Sequence, residues 1–168
     1  AMTALGYGDL YDRIETYEMS VKEHCELQDR CQKQDMMFLS TPFSVEAVDT
    51  LEEVGVPAYK IGSGELTNYH LLKRVAETGK PMLISTGMVE WEIIKESVSF
   101  VREHTDQFAL LYCVSKYPTA AEDFNLGVIE RMKEAFDVPV GFSDHSQGIE
   151  AAVTAVAQGA DFVEKHFT

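Results

Sequence analysis

Short runs of apolar residues alternate along the chain with longer stretches in which apolar side chains recur every three or four positions. The short runs fall at 37–39, 58–61, 82–84, 109–112, 140–142 and 162–164, and each has the near-continuous apolar character of a buried parallel strand. Between them, stripes at Leu71, Leu72, Val75 and Ala76, at Ile93, Ile94, Val98 and Val101, and at Val128, Ile129, Met132 and Phe136 predict amphipathic helices. Punctuation agrees with the stripes. Ser20 and Glu23 form a capping box for a helix running toward Lys33. Ser44 is placed to cap a helix that reaches Val54 and stops at Gly55, and Gly79 and Gly159 end two others, the last of them over 149–158. Leu10, Ile14 and Tyr17 make one more stripe, which Gly6 and Gly8 weaken.

Repeated strand–helix units of roughly 20 to 30 residues predict a parallel sheet covered by helices, an α/β fold. With no linker, repeat array or low-complexity tract, residues 1–168 read as one domain. An open doubly wound sheet and a barrel both fit six strands, and periodicity alone does not choose between them.

The residues just past each strand point to chemistry. In parallel α/β proteins all strand ends of one sense lie on one face, where such folds bind ligands. Here those ends carry Ser40-Thr41-Pro42, Lys60 with Gly62-Ser63-Gly64-Glu65, Ser85-Thr86-Gly87, Ser115-Lys116-Tyr117, Ser143-Asp144-His145 and Glu164-Lys165-His166. The Gly-Ser-Gly turn lets backbone N–H groups approach an anion, and Lys60 two residues earlier supplies the cation a phosphate needs. A lysine inside an apolar strand must find a partner, because an unpaired buried charge costs on the order of several kcal/mol. His145 and His166 end consecutive strands, and with Asp144 and Glu164 at hand they suit a divalent transition metal. Cys113 ends a buried strand and reads as a small hydrophobe, while Trp91 at a helix start reads as packing on a neighbouring helix.

Composition narrows the partners. The formal net charge is −14, from 28 acidic and 14 basic residues, so nothing supplies a basic footprint for nucleic acid or an anionic membrane. No run approaches the ~18 apolar residues of a membrane span, and three cysteines without finger spacing read as reduced thiols of a cytoplasmic protein. At 168 residues the chain is shorter than the roughly 250 of a complete barrel.

The ordered motifs carry a resemblance. Ser-Thr-Pro-Phe at 40–43, Lys-Ile-Gly-Ser-Gly-Glu-Leu-Thr-Asn at 60–68, Ser-Thr-Gly-Met at 85–88, Tyr-Pro-Thr at 117–119, Gly-Phe-Ser-Asp-His at 141–145 and Glu-Lys-His-Phe-Thr at 164–168 together resemble the N-acetylneuraminate (sialic acid) synthase family. The resemblance implies a (β/α)₈ TIM-barrel fold, incomplete here at about six βα units that correspond to strands three to eight of the family barrel. It implies condensation of phosphoenolpyruvate with an N-acetylhexosamine such as N-acetylmannosamine, with release of phosphate. By position, Thr41, Lys60, Ser63, Ser85 and Ser143 match residues on the phosphoenolpyruvate side, and Tyr117 one on the sugar side; Ser115, also a candidate substrate contact, stands where many members have a different polar residue, often asparagine. His145 and His166 match the ligands of a divalent metal, Mn²⁺ above all, with Mg²⁺ or Co²⁺ as alternatives. Lys60, Glu65 and Glu164 are the candidate catalytic groups.

The family's opening Glu-Ile-Gly-x-Asn-His and Lys-Phe-Gln motifs do not occur here, and neither does its C-terminal antifreeze-like domain. The resemblance therefore implies a piece of that barrel, with little or no turnover by itself, from a protein that forms a homodimer at full length. Two rivals stand beside this reading. One is another metal-dependent phosphoenolpyruvate-condensing synthase or aldolase on the same barrel, and the other is a non-catalytic piece.

Overall fold

The computed structural model describes residues 16–167. Leu10 and Ile14, two members of the weak early stripe, lie outside that range, as does Thr168; Tyr17 is in a turn and 74% exposed. The described elements run α1 (Val21–Lys33), α2 (Val45–Val54), β1 (Tyr59–Ile61), α3 (Tyr69–Ala76), β2 (Met82–Ser85), α4 (Trp91–Arg102), β3 (Phe108–Cys113), α5 (Val128–Phe136), β4 (Val140–Asp144), α6 (Glu150–Ala157) and β5 (Val163–Lys165). The expected caps are in place. Ser20 and Glu23 close their capping box, Ser44 accepts from the Ala47 N–H, and Gly55 ends α2 in the left-handed region at φ 77°.

The sheet settles what periodicity left open. Its five strands lie in the order β1-β2-β3-β4-β5, every neighbouring pair parallel. A doubly wound sheet reverses its strand order at a switch point and so carries helices on both faces. This one never reverses. One core cluster gathers Leu51 of α2, Leu72 of α3, Val98 of α4, Met132 of α5 and Ala155 of α6 with Tyr59, Ile84, Leu110 and Phe142 of the strands. The helices therefore cover one face, and the barrel-type succession is the one observed.

Side-chain alternation does the rest. On β1 to β4, Tyr59, Ile61, Met82, Ile84, Phe108, Leu110, Val140 and Phe142 belong to the helix-side core. Their neighbours Lys60, Leu83, Ser85, Ala109, Leu111, Gly141 and Ser143 therefore point to the other face. β3 and β4 are buried along their whole length, as expected of central strands with a paired neighbour at each edge.

One expected strand does not form. Residues 37–39 have the pattern of the first of six, but the chain there touches the sheet through a single parallel bridge, Ser40 to Tyr59. The reason is its edge position beside a three-residue strand, where one backbone bond, from the Lys60 N–H to the Ser40 carbonyl, is the contact made. Met37 is left 78% exposed.

Two carboxylates brace the outer layer. Burial pushes Glu52 up, but hydrogen bonds from Lys80 and Tyr59, each at 2.6 Å, outweigh it and hold the carboxyl below its ordinary value. The Lys133 ammonium at 2.8 Å holds Asp161 down, against burial and helped by the Val140 N–H. Depressed folded-state values mean stability that is present above the unfolded value and lost as pH falls through the folded one. Thermal unfolding is thus expected to move to lower temperature between roughly pH 5 and pH 3, and Glu52→Gln with Asp161→Asn to flatten that slope. An equally steep slope in the double variant would remove these two groups from the account.

Candidate active site

The ligand face is built at the strand ends. Lys60 enters from β1 with its side chain 14% exposed. Its Nζ donates to Ser85 Oγ at 2.7 Å and to the Ile61 carbonyl at 3.1 Å, and stands 3.7 Å from Glu164. A largely buried lysine thus finds the partners that its place in the sequence demands. Ser63, opening the turn after β1, accepts from the Gly87 N–H at 3.0 Å and meets Cys113 Sγ at 3.2 Å. Gly87 has no room for a side chain: a Cβ would stand 2.5 Å from Cys113 Sγ, 2.8 Å from the Cys113 carbonyl and 2.9 Å from Ser115 Oγ. Thr41 and Phe43 flank the same turn beside Gly62.

Glu65 is held by the cap of the helix that follows it. Asn68 caps α3 by accepting from the Leu71 N–H and donates its amide to Glu65 at 2.7 Å, so the cap residue also orients the carboxylate.

The second half of the site comes from β4 and β5, in the register Ser143 opposite Glu164 and Asp144 opposite Lys165. Ser143 donates to Glu164 at 2.6 Å, and His145 Nε2 lies 3.3 Å from Ser143 Oγ. Through Glu164, the Lys60 cluster and the histidine cluster are one network. His145 Nδ1 donates to the Val114 carbonyl at 2.8 Å, which leaves Nε2 as the ring nitrogen on the ligand side, beside Ser143. The His145 and His166 ring centroids are 5.5 Å apart, and Tyr117 stacks on His145 at 4.2 Å and meets His166 edge-on at 5.7 Å. Although Tyr117 is 65% exposed, partial desolvation first, then the nearby Cys113 and Glu164, push its phenol up, so it stays a neutral hydroxyl. Thr119 ties this loop to β4 by donating its N–H to the His145 carbonyl.

The two carboxylates read as available to a metal are both engaged. Glu164 serves Ser143 and Lys60. Asp144 is fully buried and bonded to Lys165 and Ser146. Burial pushes Asp144 up, but the Lys165 and Ser146 donors overcome this and hold it below its ordinary value. Among the described residues no group of three or more His, Cys, Asp or Glu is placed to hold a metal. The donor set on offer is the two imidazoles, with His145 Nε2 held on the ligand side, which fits an ion that keeps open positions for water or substrate.

Ser143, His145, Glu164, Lys165 and His166 line a cleft of about 160 Å³. A larger groove of about 640 Å³ runs between residues 118–126 and α6, but none of the sequence-predicted site residues lines it. Cys113 is buried as expected, yet its contact with Ser63 also makes it part of the site, which its apolar strand does not signal. Ser115 is exposed at the rim, and Trp91 stacks on Phe136 of α5 as a packing residue.

Among the described residues no helix is long and apolar enough to cross a membrane. Over residues 2–168 the chain matches the NeuB family. It is 39% identical over 158 residues to the N,N'-diacetyllegionaminic acid synthase of Campylobacter jejuni, covering 92% of this chain and 47% of that one. It is 38% identical over 152 residues to the N-acetylneuraminate-9-phosphate synthase of Mus musculus, covering 90% of this chain and 42% of that one. The crystal structure of an N-acetylneuraminic acid (sialic acid) synthetase from Leptospira borgpetersenii superposes with a TM-score of 0.87 at 40% identity, over 90% of this chain and 53% of that one. The chain spans about half the length of the curated relatives it matches.

Proposed function

Because the chain belongs to the NeuB family, we propose that its strand-end network is the phosphoenolpyruvate and metal portion of a nonulosonic acid synthase site. The reading places these strands in a (β/α)₈ barrel. The observation that carries it is Lys60: a lysine held inside an apolar strand, pointing at Ser85 and Glu164 on the ligand face of a strongly acidic protein.

In this reading Lys60, Ser63, Ser85, Ser143 and Thr41 hold the phosphate and carboxylate of phosphoenolpyruvate, and Ser115 closes the rim. The methylene carbon of phosphoenolpyruvate forms the new bond to the aldehyde carbon of an open-chain N-acetylhexosamine. Water adds at the neighbouring carbon, and the C–O bond to phosphate breaks. Tyr117 offers a neutral hydroxyl and an apolar ring to the sugar. Glu65, fixed by Asn68, and Glu164, fixed by Ser143 and Lys60, are the carboxylates positioned to hold and move protons. His145 and His166 would hold a divalent ion, Mn²⁺ first among the candidates, which when bound polarises the aldehyde oxygen as a Lewis acid. Near-equal identity to a legionaminic and an N-acetylneuraminate-9-phosphate synthase leaves the amino sugar to product analysis.

Isothermal titration of phosphoenolpyruvate into the chain with Mn²⁺ present tests the reading. Saturable binding that weakens with added salt is the expected result. No binding of phosphoenolpyruvate at millimolar concentrations would sink it.

A further inference from the structure

We propose that the ion pair of the buried Asp144 with the half-buried Lys165 is a positioning device that sets the register of β4 against β5, and with it the distance between His145 and His166. The inference rests on the metal-binding reading of those histidines.

Neither charged group is free to serve a ligand. Asp144 and Lys165 come one position after Ser143 and Glu164 on their strands, so alternation turns the Asp144 carboxylate away from the face those two share, and Lys165, at the edge of the cleft, gives its ammonium to it. There they close a small ring of bonds. Lys165 Nζ donates to Asp144 Oδ2 at 2.7 Å and to the Ser146 carbonyl at 2.8 Å, while Asp144 Oδ1 accepts from the Ser146 N–H at 2.8 Å and hydroxyl at 2.6 Å. Both carboxylate oxygens are used, and the side chain is fully buried.

Each histidine is the next residue after a member of this pair. His145 is bracketed by Asp144 and Ser146, and His166 comes directly after Lys165. A slip of one residue between the strands would turn His166 to the helix side and leave a buried carboxylate without its cation. An ion pair of this kind contributes little net stability against apolar packing, but it penalises the wrong register heavily. β5 is three residues long, and Val163 at its start is 38% exposed, so apolar packing alone gives this edge strand little reason to hold one alignment. His145 has further anchors in Val114 and Tyr117. Among the described residues His166 makes ring contacts to Tyr117 and His145 and no hydrogen bond, so its placement depends on the strand that carries it.

The test compares Mn²⁺ affinity in the wild-type chain, in Lys165→Arg, and in the neutral pair Asp144→Asn/Lys165→Met. Trp91, the single tryptophan, lies against Phe136 and Arg131 and reports whether the fold survives. With its emission unchanged, the neutral pair is expected to lose about 10- to 100-fold in Mn²⁺ affinity, the range for groups that orient a metal ligand. Lys165→Arg, which keeps the cation and its donors, is expected to stay within about threefold of wild type. Wild-type affinity in the neutral pair, or an equal loss in Lys165→Arg, would overturn the inference and leave the metal reading standing. If the wild-type chain binds no Mn²⁺, the metal reading fails and this inference with it. Should the neutral pair unfold, Ser146→Ala decides, since it deletes one hydrogen bond of the ring. A loss of at least about threefold supports the pin, and no loss overturns it.

Discussion

Lys60→Met is expected to lower phosphoenolpyruvate affinity by about 100-fold or more while leaving the chain folded. Removing one partner of a desolvated charge contact costs about 2–5 kcal/mol, much of it the penalty on the groups left behind. Here the group left behind is the bound anion, which would face Ser85 and the Glu164 carboxylate with no cation between them. The chain has little to compensate with. Of the other lysines near the strand ends, Lys116 is tied to Asp123 and Lys165 to Asp144, and a net charge of −14 repels an anion that has lost its local cation. Methionine keeps the length and fits an apolar strand, so the thermal midpoint is expected to move little. Isothermal titration with phosphoenolpyruvate in excess Mn²⁺ reads the effect. Affinity within a few-fold of wild type would remove Lys60 from the anion site.

The double substitution His145→Ala/His166→Ala is expected to abolish measurable Mn²⁺ binding, a loss beyond the ~10- to 100-fold that comes from disturbing a supporting contact. The carboxylates nearby cannot take over. Glu164 is bonded to Ser143, and Asp144 has both oxygens occupied by Lys165 and Ser146. Titration of Mn²⁺ checks this directly. Retained binding would move the ion to carboxylates elsewhere and leave the two imidazoles as stacking partners of Tyr117.

Much of the fold is legible in the chain, and the parts that are not share a cause. Local rules locate five of the six expected strands and the helix ends at Ser20, Ser44 and Gly55, because caps and apolar periodicity act over a few residues. The same locality makes Lys60 conspicuous: a charge in an apolar strand needs a partner wherever the strand goes. Residues 37–39 look like a strand by the same rules and fail because pairing is not local; their one neighbour is the short β1. Asp144 and Glu164 look like free carboxylates for the same reason. Only the alignment of β4 with β5 reveals that Lys165 takes the first and Ser143 the second. Choosing a barrel succession over an open sheet likewise requires the strand order, which periodicity does not contain.

That unbroken strand order has a kinetic consequence. Every ladder joins strands that are consecutive in the chain, so each pairing closes a loop of one βα unit and no long excursion must be made before its contacts are formed. Loop-closure entropy grows only slowly with loop length, and chains whose contacts are near in sequence fold faster than those that join distant segments. The sheet can grow by adding one unit to the edge of the last, in the order in which a ribosome releases the chain.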